Sequence, residues 1–143
     1  MQNEIVSALA GRLDELFDGE YPIYTDPVEQ GLKTPCFFVG VLKTDVQPML
    51  GRRQFRSWDL RIQFLPKENG DQNSRLMNQV SERLMEEVEY ITLTDGTLMR
   101  GTDRSCESDD QVLTFLIHFG AFFLKPETPA DPMEQLELKG EVP

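Results

Sequence analysis

The chain has 143 residues, 39% hydrophobic, 9% aromatic and 27% charged, which is the make-up of one folded globular domain and too short for two separate cores. Against 25 Asp and Glu stand 14 Lys and Arg, a formal net charge of −11 that repels phosphate backbones and argues against high-affinity nucleic-acid binding. Cys36 and Cys106 form no Cys-x-x-Cys or Cys/His framework, which excludes a disulfide scaffold and fits reduced thiols.

At the N-terminus, Met1-Gln2-Asn3-Glu4 has no basic targeting region, and no apolar run approaches the roughly 18 residues of a membrane span. A soluble, untargeted protein with no membrane partner is expected. From Asn3 to Phe17 the apolar residues Ile5, Ala8, Leu9, Leu13, Leu16 and Phe17 recur at helical spacing, with Asn3 as N-cap and Asp18-Gly19 as the stop. A short strand, Tyr21 to Thr25, follows. From Pro35 to Val46 the apolar run Cys36 to Leu42 predicts a strand buried on both faces at its start. From Arg53 to Leu65 the pattern alternates, Trp58, Leu60, Ile62 and Phe64 facing the core and Ser57, Asp59, Arg61 and Gln63 the solvent. Pro48-Met49-Leu50-Gly51 joins the two strands into a hairpin long enough to project from the domain.

Turn residues fill Pro66 to Asp71, and Asp71 is placed to cap a second helix whose stripe is Leu76, Met77, Val80, Leu84 and Val88. Then come Ile91 to Leu93, an Asp95-Gly96 turn, a strand from Leu98 to Cys106 and a last apolar strand from Val112 to Leu124. The order predicts an α+β domain over residues 1–125, two helices packed on one face of a mostly antiparallel sheet. Residues 126–143, with Pro126, Pro129, Pro132 and Pro143 and no periodic pattern, read as a flexible acidic tail.

No catalytic, metal or cofactor motif is present, so no enzyme, cofactor or metal is expected. The single histidine, His118, alternates with apolar residues and reads as a structural or interface residue. Asp103, Glu107, Asp109 and Asp110 could offer oxygens to a hard cation, the basis of a remote hydrolase reading, but lack the calcium-loop spacing; the alternative is a solvated turn. Glu137-Leu138-Lys139 matches a nuclease Glu-x-Lys only superficially. Most distinctive are Arg52, Arg53, Arg56 and Arg61, four of the fourteen basic residues in an acidic chain. They fit a self-association surface for an acidic neighbour, a solvated strand edge, or a phosphate contact. At the hairpin tip, Val46, Met49 and Leu50 are candidates for touching a neighbour or a tube end, against a mobile surface loop.

Three stretches, Tyr24 to Phe38, Gly51 to Pro66 and Glu89 to Thr102, resemble the tail terminator family of long-tailed bacteriophages and prophages of Gram-positive bacteria. The resemblance covers roughly residues 3–125 and rests on pattern rather than on a catalytic signature. It implies a structural virion protein at the head-proximal end of the tail, assembled in the host cytoplasm as a hexameric ring on the tube. Its partners would then be itself, the tail tube protein, a head-tail connector and, in a contractile tail, the sheath protein, with DNA passing through the lumen unbound. The alternative is another head-tail connector or tail completion protein.

Overall fold

A computed structural model describes residues 1–25, 32–67, 70, 72–109 and 111–125. In chain order the elements are α1 (Gln2–Leu16), β1 (Ile23–Tyr24), β2 (Cys36–Pro48), β3 (Arg53–Leu65), α2 (Asn73–Glu87), β4 (Tyr90–Thr92), β5 (Leu98–Ser108) and β6 (Leu113–Leu124). They form one six-stranded sheet, β1-β2-β3-β6-β5-β4, with only β1 and β2 parallel. The predicted fold class is the observed one.

Both helices lie on the same face. Ile5, Leu9 and Leu13 of α1 and Met77, Val80 and Leu84 of α2 share one core with Trp58, Leu60, Ile62 and Phe64 of β3 and Leu113, Phe115, Ile117 and Phe119 of β6. Full burial of each such side chain stabilises the fold by about 1.5–3 kcal/mol. Helix α1 touches both β2 and β4, which sit far apart in the strand order, because the sheet curls around the helices.

Several boundaries differ from the sequence expectation. Asn3 lies inside α1 and is not its cap: the helix starts at Gln2, and Ile5 N–H already bonds the Met1 carbonyl at 3.0 Å. The short strand is only Ile23–Tyr24. Gln72 holds the cap position of α2, without a side-chain cap bond, and Asp71 lies outside the described residues. The C-terminal stop of α1 is as expected, with Asp18 and Gly19 both at positive φ. The Asp95-Gly96 turn also forms, Thr97 N–H bonding Asp95 Oδ1 at 2.9 Å.

Two irregularities reset the faces. Between Val41 and Lys43 of β2 the register slips by one residue, so Phe37, Val39 and Val41 lie on the helix side of the sheet before it and Thr44, Val46 and Pro48 after it. A second break spans Thr102 to Ser105 of β5, where Asp103 takes φ 52. Beyond the first slip the helices give no cover. No residue from Leu42 to Arg56 is buried, and β6 runs alongside to Leu124, paired with Arg53. The projecting element is therefore a three-stranded ribbon, not the two-stranded hairpin the sequence indicated.

Candidate functional site

The ribbon carries the sequence-predicted residues but divides them. Alternation sends Arg53 and Arg61 to the outer face of the sheet and Arg56 to the helix side, while Arg52 sits in the turn and donates to the Lys125 carbonyl at 3.4 Å. Arg53 lies over the Phe122 ring at 5.6 Å. Arg56 is wedged between Trp58 at 5.4 Å and Phe123 at 5.7 Å, its Nε shielded from solvent and without a hydrogen-bond partner. The four arginines are thus not one stripe. Arg56 is a packing residue of the ribbon's inner side, and only Arg53 and Arg61 present their cations from the open sheet face.

At the tip, Val46 is 49% exposed, Met49 40% and Leu50 91%. Beside them on β6, Phe122 is 60% exposed and Leu124 66%. Sequence reasoning did not single out these two. Their signal was present: Phe122-Phe123-Leu124 is apolar on both parities, which at the end of a one-sided strand leaves an apolar residue facing water. Phe55 and Phe122 stack edge to face at 4.9 Å, and the Phe55 ring covers Gly120.

The helices leave the outer sheet face open. Across it Asp59 and His118 are direct cross-strand partners, His118 Nδ1 lying 2.6 Å from Asp59 Oδ1. His118 is therefore tied to a carboxylate on a half-exposed surface, and among the described residues no serine or cysteine side chain bonds to its ring.

On the helix side the charge is reversed. A cleft of about 700 Å³ between α1, the end of α2 and β4 is lined by Glu4, Glu15, Glu86, Glu87 and Glu89, with Arg12 as its one basic residue. The arginines of this side hold the helices in place. Arg83 bonds the Leu16 carbonyl at the end of α1 at 2.6 Å and pairs with Glu87, while Arg104 bonds the Met85 and Val88 carbonyls at 2.9 and 3.3 Å. Neither helix has a basic residue in its own last turn, so these tertiary contacts supply the cation that the helix C-terminus favours.

Of the acidic quartet, the described members Asp103, Glu107 and Asp109 form no metal-binding group. Asp109 accepts from the backbone N–H groups of Gln111 and Val112 at 2.7 and 2.9 Å, which is the turn-making role, and Asp110 and Glu137 lie outside the described residues. Among the described residues no group of three or more His, Cys, Asp and Glu is placed to hold a metal ion. Both cysteines are free thiols, and burial raises the pKa of each. Among the described residues no helix is long and apolar enough to cross a membrane.

The fold is that of a small α+β protein with an apolar, cationic ribbon, an outer sheet face free of helices and a cleft lined by glutamates. The sequence profile of phage tail terminator proteins matches residues 4–131, and the chain belongs to that family. It is accordingly a structural bacteriophage protein of the virion tail, with a part in completing the tail. No curated protein matches. Fourteen chains of solved structures do, one of which shares 10% identity over 90% of this chain and 99% of its own, with a TM-score of 0.41.

Proposed function

We propose that this protein caps the tail tube as a closed ring of identical copies, a hexamer, and so ends tube polymerisation and forms the surface to which the head-side connector joins. The observation that carries this reading is the projecting ribbon. Its end exposes large apolar side chains and cations, while carboxylates crowd a cleft on a different part of the molecule. A closed ring needs two unlike, complementary surfaces on each copy. The net charge of −11 lets a duplex pass the lumen without adhering.

In this reading the partners are the tube protein, the connector and, in a contractile tail, the sheath protein. The ring occupies the head-proximal end of the tail of a phage or prophage of a Gram-positive host and assembles in the host cytoplasm. Negative-stain electron microscopy of the protein, alone and mixed with its tube protein, tests it. Rings, or caps at one end of short tubes, are expected. A monomer that ignores tubes would overturn the ring and favour another head-tail connector or completion protein.

A further inference from the structure

The ribbon and the cleft carry charges of opposite sign. On the ribbon, residues 43–56 and 121–125 hold Lys43, Arg52, Arg53, Arg56 and Lys125 against a single carboxylate, Asp45. The cleft is lined by five glutamates and Arg12; Glu4 pairs with the N-terminal amine, Glu15 with Arg12, Glu87 with Arg83 and Glu89 with Arg100. Among the described residues neither Lys43 nor Arg53 forms an ion pair, and neither does Glu86 at the rim of the cleft. By contrast Arg12, Arg83 and Arg100 each pair with a glutamate.

Resting on the ring reading above, we propose that the ribbon end of one copy seats in the acidic cleft of the next, Arg53 entering among the glutamates with Phe122 and Leu124 beside it. Charge complementarity selects a second copy as the occupant: an acidic chain offers its own cleft as the match for its own cationic ribbon. The contact also removes apolar surface from water, since Phe122 and Leu124 are more than half exposed and the cleft floor includes Ala8 and Gly11. Tyr90, 44% exposed at the cleft wall, offers a ring face for the guanidinium. Ribbon and cleft are unlike patches, the ribbon on β2, β3 and β6 and the cleft against β4, so the contact is head to tail, the kind from which a ring is built, rather than that of a two-fold dimer. The seven residues from Leu42 to Pro48 extend roughly 20 Å, enough to reach across a boundary between copies.

The test is a charge swap in the full chain. Arg53→Glu and Glu86→Arg are each expected to weaken self-association roughly tenfold, read by sedimentation velocity and by capping of tubes, with unchanged circular dichroism. Combining them in one chain is expected to restore association, because the reversed charges meet again across the interface. Single variants that associate like the unmodified protein, or a combined variant no better than either, would overturn the pairing while leaving rings of the unmodified protein to support the ring reading. An unmodified protein that neither self-associates nor caps tubes would remove the ring reading and this pairing with it.

Discussion

The side chain of Ile117 occupies the space in which a Cβ on Gly101 would have to lie: a methyl there would meet Ile117 Cγ1 at 2.6 Å and Phe119 Cε1 at 3.1 Å. The register break from Thr102 to Ser105 leaves Ile117 without a partner on β5, and its side chain leans over the glycine instead. Both neighbours are fully buried and cannot swing away. Gly101→Ala is expected to lower stability by about 1–3 kcal/mol. Gly40→Ala, in a strand position with open space around its Cβ, is expected to be neutral or slightly stabilising. Thermal unfolding of the two variants side by side checks this, and equal melting temperatures would contradict it.

Arg104 joins β5 to the end of α2 through two carbonyls. Arg104→Met keeps much of the aliphatic stem and removes both bonds, so the urea midpoint should fall by an amount worth about 1–2 kcal/mol, with the slope of the transition unchanged. An unaltered midpoint would mean that water replaces the guanidinium without cost.

Arg56 and Arg53 are three residues apart and should respond unequally to the same change. Replacing Arg56 by Glu sets a carboxylate against the faces of Trp58 and Phe123 and is expected to cost about 1–2 kcal/mol. It should also shift the emission of Trp58, the only tryptophan. Arg53→Glu, over the exposed Phe122, should change stability by less than about 0.5 kcal/mol and leave the emission maximum in place. A matched loss in both would place Arg53 in the packing of the ribbon as well.

Burial raises the thiol pKa of Cys36 and Cys106, so less thiolate is present at a given pH than for a free cysteine. At pH 8 both are expected to react slowly with a disulfide reagent in the native protein and at once in urea. The rate at Cys106, the more accessible of the two, should keep climbing above the ordinary thiol range. Rapid labelling of Cys36 in the native state would show that the start of β2 opens.

Much of the fold was decided locally. The stripe Met77, Val80 and Leu84, the alternation Trp58 to Phe64 and the Asp-Gly turn each use a period or a turn chemistry that a short segment imposes on itself, and the core follows from them. Composition likewise set the acidic net charge of −11 and the cluster of arginines from Arg52 to Arg61. Only tertiary structure decided where those charges lie. A single inserted residue near Leu42 exchanges the faces of the distal half of β2, and no local pattern marks it. Arginines that are close in sequence part company because neighbouring strand positions point to opposite sides, while Asp59 and His118, fifty-nine residues apart, become partners through the register of β3 and β6. The cleft gathers glutamates from both helices and from the segment entering β4, and only the curl of the sheet around α1 brings those together.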